Sequence, residues 1–314
     1  MPRKEPPGRS RDRRRSERTD RRGPAGPRRG QRPRSAERRP GRPPREEAAE
    51  PDRERGTARE RGPRADVDLL VGRNAVREAL RAGRRRVYRL LIGEGTHEAG
   101  ALAEIIALAE GRGIEPQRVP KADLDRQADA LTHQGVMAYA SLYPYADLDA
   151  ILALAQERGE EPLLLALDSV QDPQNVGSLL RTAEAVGVQG VIVPERRAAG
   201  ISPAVSRASA GAVEHLLVAE VTNLVRTLEG LKERGMWVVG VEGVPEAQDY
   251  RTVDLAMPLA LVVGGEGPGM RRLVREACDL LVRLPMRGQI ESLNVSVAGS
   301  VVLYRAWEAR EGEG

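Results

Sequence analysis

The chain has 314 residues, of which 40% are hydrophobic and 3% aromatic, and a formal net charge of +4 at pH 7. Its one cysteine excludes an internal disulfide framework, and three histidines beside it leave a zinc cluster almost without ligands. No apolar run approaches the roughly 18 residues of a membrane span, and the N-terminus lacks the apolar core of a signal peptide. We therefore expect a metal-free cytoplasmic protein without membrane association.

The first 65 residues differ in composition from the rest. They contain no Val, Ile, Leu, Phe, Tyr or Trp, and their 23 Lys and Arg against 11 Asp and Glu give a net charge of +12. The remainder therefore carries −8. A disordered basic tail is predicted over 1–65, because this segment cannot bury enough apolar surface to fold. Both an RNA-binding arm and a solubilising extension remain open for it.

A small alternating α/β domain is predicted over residues 66–142, followed by a connector over 143–161 that contains a short helical run. The turn Gly72-Arg73-Asn74 is expected to cap the first helix. The predicted strands are 68–71, 87–92, 114–119 and 136–142, and the predicted helices are 75–82 and 101–111.

A second α/β domain is predicted over residues 162–314. Its candidate strands are short and apolar, and helical segments separate them, as is typical of a parallel sheet covered on both faces. The candidate strands are 163–167, 190–193, 216–218, 237–241, 259–263 and 280–284. Ligands of such sheets bind beyond the carboxyl ends of the strands, so the loops there are the candidate site.

The first of these loops, 168–177, runs into a helix that carries Arg181. Small neighbours of Arg181 would leave room for a large anionic ligand near the start of the helix, although a solvated arginine is the simpler interpretation. Asn175 could serve the site, cap the helix, or do both. The apolar face of this helix is predicted to consist of Leu179, Leu180, Ala183 and Val186, and the small neighbours are Gly177, Ser178 and Ala185.

The second loop, 264–269, has four glycines and a proline in six residues, and a helix is expected from Met270. Glycines allow the backbone to approach a ligand closely, although a plain strand-to-helix turn is the alternative. The glycine spacing fits neither a dinucleotide fingerprint nor a Walker A loop. The third loop, 284–296, places Ser292 and Asn294 among apolar residues, where capping of the final helix is the alternative role.

Together the three loops resemble the three signature motifs of the SpoU (TrmH) family of SPOUT RNA methyltransferases. The resemblance lies in residues 175–177 with Arg181, in 262–267, and in 284–286 with 292–298. The segments 72–80 and 133–136 resemble the RNA-substrate-binding domain of bacterial 23S rRNA guanosine 2'-O-methyltransferases. This resemblance implies methyl transfer from S-adenosylmethionine to a ribose 2'-hydroxyl of RNA, with a guanosine of 23S ribosomal RNA as the favoured target in rRNA processing.

The resemblance also implies a fold: a knotted parallel-sheet (SPOUT) methyltransferase domain preceded by the small α/β domain, in a homodimer. The final helix offers an apolar face for the dimer, although an ordinary core helix is the alternative. The residues of that face are Val297, Ala298, Gly299, Val301 and Tyr304.

By the same resemblance, Arg181 holds a phosphate, stabilises the developing alkoxide and takes part in removing its proton. Asn175, Glu266, Ser292 and Asn294 position the ribose and Arg181. The residues implied to enclose the cofactor are Val263, Gly264, Gly267, Leu284, Met286 and Leu293. A tRNA 2'-O-methyltransferase and a non-catalytic RNA-binding ribosome-assembly factor remain as alternatives.

Overall fold

The structure is a computed structural model that describes residues 67–196, 198–267 and 269–312. These residues belong to one compact unit. The predicted basic tail, 1–65, lies outside the described residues. None of the described helices is long and apolar enough to cross a membrane.

The first sheet and its helices form what we call the small domain. Its four strands are β1 (Val67–Val71), β2 (Val87–Gly93), β3 (Pro116–Val119) and β4 (Val136–Ser141), in the order β1-β4-β2-β3. Strand β4 runs antiparallel to β1 and β2, whereas β2 and β3 are parallel. The helices are α1 (Arg73–Ala82), α2 (Ala101–Glu110) and α3 (Lys121–Ala128). Apolar side chains of α1 and α2 share a core with the sheet, and α3 contributes to a second cluster.

Two local features of the small domain differ from the sequence prediction. Helix α1 begins at Arg73, so Asn74 lies inside it as an exposed residue, and Gly72 occupies the N-cap position without a side-chain hydrogen bond. Gly72 of the predicted turn therefore does precede the helix, but no side chain of the turn caps it. Helix α3 was not predicted, because only Leu124 and Ala128 of its eight residues are buried.

The predicted connector contains the helix α4 (Leu148–Arg158), which ends at Gly159 in the left-handed conformation. Ile151 and Ala155 of α4 are buried. Ile151 packs closely on Gly190, because a Cβ added to Gly190 would lie 2.4 Å from the Ile151 side chain. The connector thus forms part of the core of the second sheet.

The second sheet, with its helices, forms what we call the large domain, and all its paired strands are parallel. Its strands are β5 (Leu163–Asp168), β6 (Gly190–Pro194), β7 (Leu217–Val221), β8 (Trp237–Val241), β9 (Gln248–Asp249), β10 (Leu259–Gly264) and β11 (Leu280–Arg283). Their order is β7-β6-β5-β10-β8-β11-β9. The six predicted strands are confirmed to within a few residues at their ends, and the two-residue β9 was missed.

Helices cover this sheet and form two hydrophobic clusters with it. They are α5 (Pro173–Ala185), α6 (Pro203–Ala208), α7 (Leu224–Glu233), α8 (Arg272–Ala277) and α9 (Val295–Glu311), with a 3-10 turn at Ala212–His215. Helix α8 begins two residues after the predicted Met270, whose backbone is packed against Gly264. The mixed α/β architecture with a parallel sheet is the expected fold class.

A buried ion-pair cluster joins the two domains. Arg85 of the small domain pairs with Asp68 at 2.5 Å and with Glu214 of the large domain at 3.3 Å, and the Arg85 and Glu214 side chains are each 1% exposed. Burial raises the pKa of Glu214, and the nearby Arg85 charge opposes that rise. This ion-pair cluster fixes the position of the small domain against the large domain.

Candidate active site

One side chain from the first turn of α5 and two from the later loops meet beyond the carboxyl ends of β5, β10 and β11. Asn294 Nδ2 donates to Asn175 Oδ1 at 3.0 Å and lies 3.4 Å from Glu266 Oε1. Asn175 Nδ2 also donates to Glu266 Oε1. Asn175 is 91 residues from Glu266 and 119 from Asn294 in the chain. The sheet therefore brings together three of the five predicted catalytic residues.

The capping roles of the two asparagines differ. Asp172, not Asn175, caps α5 by accepting from the backbone N–H groups of residues 174 and 175 at 3.3 Å. Asn175 is buried, and its side-chain amide is left to bridge Glu266 and Asn294. Asn294 does cap α9, because its Oδ1 accepts from Ser296 N at 2.9 Å and Val297 N at 3.4 Å. The capping role considered for Asn175 is therefore wrong, whereas the capping role considered for Asn294 is confirmed.

Beside this cluster lies a cavity of about 510 Å³, which we call the loop cavity. All six predicted cofactor residues line it, and so do Glu266, Ser292 and Asn294. The six are Val263, Gly264, Gly267, Leu284, Met286 and Leu293. Ser292 is exposed, and its side chain makes no hydrogen bond within the described part of the chain.

The charge of the loop cavity is mainly negative. Its charged lining consists of Glu242, Glu266 and Glu291 against Arg283. Arg275, which does not line the cavity, pairs with Glu242 at 2.6 Å and offsets part of that charge. The exposed acidic residues and the apolar walls suit a ligand that combines cationic and apolar groups.

Two glycines at the end of β10 are required by packing within the protein. A Cβ on Gly264 would lie 2.4 Å from the backbone N of Met270, and one on Gly265 would lie 2.2 Å from the carbonyl O of Ser169. Both neighbours are backbone atoms and cannot rotate away. Gly267 has a φ of 81° and open space around its Cβ position. Close approach of the backbone to a ligand, as expected from the sequence, is therefore open to Gly267. Gly264 allows its own loop to fold back on the end of β10, and Gly265 allows that loop to pack on the first loop.

An ion pair that the sequence reasoning missed links the first two loops. Asp168 is fully buried at the end of β5 and accepts from Arg271 Nε at 2.6 Å and from Arg271 N at 2.7 Å. Together these bonds hold the chain after the glycine loop against the end of β5. A carboxylate directly after the continuous apolar run 163–167 was the available sequence signal, because a buried charge requires a partner.

Arg181 lies on the exposed side of α5, as the helical pattern predicted, and it does not line the loop cavity. The four residues of the predicted apolar face, Leu179, Leu180, Ala183 and Val186, are buried. The expectation that Gly177 leaves room for a ligand is wrong. A Cβ there would lie 2.4 Å from Ala208 Cβ, so α6 occupies that space.

Within 67–196, 198–267 and 269–312, no group of three or more His, Cys, Asp or Glu residues is placed where it could hold a metal ion.

Comparisons with known proteins agree with this architecture. A model of the SpoU rRNA Methylase family matches residues 162–304, and a model of RNA 2'-O ribose methyltransferase substrate binding matches residues 69–146. A Bacillus subtilis protein described as a TrmH family tRNA/rRNA methyltransferase is 47% identical over 247 residues, which cover 79% of this chain and 98% of that protein. A relative of the same description from Staphylococcus saprophyticus is 45% identical over 242 residues, 77% of this chain and 96% of that protein.

The solved structures lead to the same family. The SpoU methyltransferase AviRb from Streptomyces viridochromogenes, in complex with AdoMet, has a TM-score of 0.65 and 26% identity, and the match covers 79% of this chain and 92% of that one. An RNA 2'-O ribose methyltransferase has a TM-score of 0.63 and 28% identity, over 78% of this chain and 90% of that one. The chain described here therefore belongs to the SpoU (TrmH) family and is an RNA methyltransferase with a substrate-binding domain ahead of its catalytic domain.

Proposed function

We propose that this protein transfers a methyl group from S-adenosylmethionine to a ribose 2'-hydroxyl of RNA. The observation that carries the proposal is the Asn175–Glu266–Asn294 cluster at the wall of an acidic cavity, beyond the carboxyl ends of parallel strands. A family relative of known structure contains AdoMet. A guanosine of 23S ribosomal RNA is our favoured target, which assigns the protein to rRNA processing in the cytoplasm.

The loop cavity fits the proposed cofactor in charge and size. S-adenosylmethionine carries a sulfonium, an ammonium and one carboxylate, and thus a net charge of +1, which the glutamates of the cavity would attract. A volume of about 510 Å³ lies within the usual range for a small-molecule pocket. Val263, Gly264 and Gly267 would hold the cofactor on one side, and Leu284, Met286 and Leu293 on the other. Bound there, the cofactor would supply an electrophilic methyl group.

The remaining chemistry concerns the ribose hydroxyl, which is a poor nucleophile until its proton is removed and its orbital is aligned. Glu266 is held by two amides, so its carboxylate stands in a defined place from which it can orient ribose hydroxyls. The Ser292 hydroxyl, which bonds to none of the described residues, offers a further contact to the ribose, and Asn294 would act by holding Glu266. Arg181 would hold the adjacent phosphate and stabilise the developing alkoxide charge.

Because Arg181 is outside the loop cavity of its own chain, we infer that it acts in a homodimer. Val297 and Tyr304 of α9 are 48% and 46% exposed, so this helix presents an apolar face as well as a buried one. Thr182 Oγ1 and Ser300 Oγ lie 2.8 Å apart, which places the exposed face of α5 beside that of α9. A two-fold contact through this face would place Arg181 against the second copy. The knotted chain path implied by the resemblance is part of the same proposal.

The first experiment uses labelled S-adenosylmethionine with unmodified 23S ribosomal RNA and, in parallel, unmodified transfer RNA. Alkaline hydrolysis then maps the label, because a 2'-O-methyl group blocks cleavage at its own linkage. A single protected linkage at a guanosine of 23S RNA is expected. Label in transfer RNA alone would replace the substrate assignment. No transfer to either RNA, with no cofactor binding at millimolar concentration, would favour the assembly-factor alternative.

Arg181→Ala is expected to abolish methyl transfer while the Kd for S-adenosylmethionine stays within a few-fold, since Arg181 does not line the cavity. The matched control is Arg226→Ala, which removes an exposed arginine of a different helix, α7, and should retain activity. Equal loss of transfer and cofactor affinity in Arg181→Ala would instead assign this residue to the cofactor site.

A further inference from the structure

Two segments that the sequence analysis singled out in the small domain, 72–74 and 133–135, meet in the fold. Arg73 N donates to Gln134 Oε1, and Arg73 Nε donates to Gln134 O, each at 3.2 Å across 61 residues of chain. They border a cavity of about 640 Å³, which we call the Arg73 pocket. It is lined by Arg73, 95–97, Lys121, Asp125 and 130–135. Neither the loop cavity nor the proposed chemistry uses these residues.

The charge of the Arg73 pocket favours an anion. Arg73 and Lys121 line it, and neither forms an ion pair with any residue that the structure describes. Asp125 is the one carboxylate among the lining residues, and it is already bonded to His133 Nε2 at 2.9 Å. Arg207 of α6 brings a further cation to the rim by donating from Nε to Thr132 O at 3.3 Å.

The loop that closes the pocket is held in an unusual backbone conformation. Asp129, Ala130 and Gln134 have φ values of 43°, 68° and 53°, and only two further non-glycine residues in the described ranges have a positive φ. Gly135 N donates to His133 Nδ1 at 3.0 Å, which anchors the loop from within. Conformations of this kind cost free energy and persist where the surroundings hold them, commonly at ligand-binding sites.

A polar atom in the wall of the pocket also lacks a partner. Thr96 Oγ1 is buried and makes no hydrogen bond to the described residues, although Thr96 lines the pocket. Gly135 packs on Thr96 so closely that a Cβ would lie 2.7 Å from its side chain. Thr96 Oγ1 is therefore enclosed behind Gly135, and the groups of the pocket that suit an oxyanion are Arg73 and Lys121.

The Arg73 pocket is connected to the reaction centre through packed helices. Arg207, which bonds to the rim of the pocket, belongs to α6, and Ala208 of the same helix fills the space beside Gly177 of α5. Helix α5 also carries Asn175. A ligand in the pocket would therefore be held at a fixed distance from the Asn175–Glu266–Asn294 cluster.

We propose that the Arg73 pocket binds a backbone phosphate of the substrate RNA away from the target nucleotide, and so helps to select which nucleotide reaches the catalytic cluster. The proposal rests on the proposed function in naming RNA as the ligand. No Tyr or Trp side chain lines the pocket, and its charged groups are mainly cationic, so it is suited to contact the sugar-phosphate backbone.

The test is a salt series of RNA binding by the full chain and by two variants, Lys121→Ala and Lys121→Glu, with unmodified 23S ribosomal RNA and unmodified tRNA transcripts as probes. Removal of one cation that neutralises a phosphate should lower the slope of log K against log salt by about 0.7–0.9. We therefore expect the slope to fall by about 0.7–0.9 in Lys121→Ala and by at least as much in Lys121→Glu, whose carboxylate also repels the phosphate. The KM for RNA should rise on the order of 10-fold in Lys121→Glu, with kcat and the Kd for S-adenosylmethionine unchanged.

Arg226→Glu is the matched control, because Arg226 is an exposed arginine on α7 without an ion pair in the described part of the chain. Its salt slope and RNA affinity should stay near those of the unaltered protein. Equal weakening by Lys121→Glu and Arg226→Glu, or no weakening by either, would overturn the proposal. RNA binding is measured without turnover, so it is independent of methyl transfer. An unaltered protein that binds RNA but methylates none would contradict the proposed function, and the Lys121 variants would still test whether the pocket binds phosphate. Absence of RNA binding altogether would overturn both.

Discussion

The loop cavity and the Arg73 pocket differ in both charge and construction. Three glutamates and one arginine line the loop cavity, which lies at the ends of parallel strands. The Arg73 pocket has an arginine and a lysine against one aspartate, and a left-handed loop closes it. A cationic cofactor and a polyanionic RNA have opposite electrostatic requirements, and the separation of the two linings meets both. One chain can thus sort its two substrates by charge before any specific contact forms.

The largest expected effect concerns the junction that holds the two pockets at a fixed separation. Arg85→Ala would leave the buried carboxylate of Glu214 without its cation, and loss of one partner from a buried pair costs about 3–5 kcal/mol. The free energy of unfolding, measured by urea titration, should fall by about that amount.

The neighbouring Arg86→Ala is the control for the junction. Arg86 is exposed, and its guanidinium lies over the Tyr88 ring at 5.4 Å, so its loss should cost less than about 1 kcal/mol. If Arg85→Ala were no more destabilising than Arg86→Ala, the buried ion pairs would not be what holds the small domain against the large domain.

A smaller effect should appear at the loop cavity alone. Gly265→Ala places a Cβ 2.2 Å from the carbonyl O of Ser169, so the glycine loop has to move away from β5. We expect a loss of about 1–3 kcal/mol in unfolding free energy, as for other overpacked sites, together with weaker cofactor binding by titration calorimetry. Gly243 lines the same cavity, and nothing lies within 4 Å of its Cβ position. Gly243→Ala should therefore change the unfolding free energy by less than about 0.5 kcal/mol. RNA binding at the Arg73 pocket should be the same in both variants, and a parallel decrease there would show that the two pockets are not independent.

The smallest expected effect is the difference in stability loss between substitutions of two adjacent arginines, Arg271 and Arg272. Arg271→Ala removes the side-chain partner of the fully buried Asp168, and we expect a cost of roughly 1–2 kcal/mol because the Arg271 side chain is 38% exposed and partly screened. Arg272→Ala removes an i,i+4 pair with Glu276 at a 75% exposed position and should cost less than about 0.5 kcal/mol. Thermal unfolding and the Kd for S-adenosylmethionine check both variants. Equal shifts would mean that the Asp168–Arg271 pair does not order the glycine loop.

Much of the fold was predictable where a single periodic signal dominates. The six main strands of the large domain are continuous apolar runs, because a parallel sheet buries both faces of each strand. The division of α5 into buried Leu179 and exposed Arg181 follows from helical periodicity in the same way. Helix α3 and strand β9 carry few buried residues, so their local pattern was too weak to predict them.

The candidate site was predictable as a set of loops but not as a set of contacts. The motif residues of the cofactor wall do line one cavity. The role of Asn175 as a bridge to Glu266 depends on Asp172 being the cap, and two plausible caps three residues apart cannot be separated by type alone. The packing of Ala208 against Gly177 was likewise beyond an interpretation of α5 alone, because α6 fills that space from elsewhere in the chain.

Local periodicity and short motifs were enough to establish the class of fold, the strands of the large sheet, the three loops and the family. The tertiary structure was needed to establish that Asn175, Glu266 and Asn294 share hydrogen bonds, that Arg181 stands outside its own cavity, and that Arg73 meets Gln134. Those contacts join residues far apart in the chain, and their geometry follows from strand order and helix packing, which no local pattern encodes.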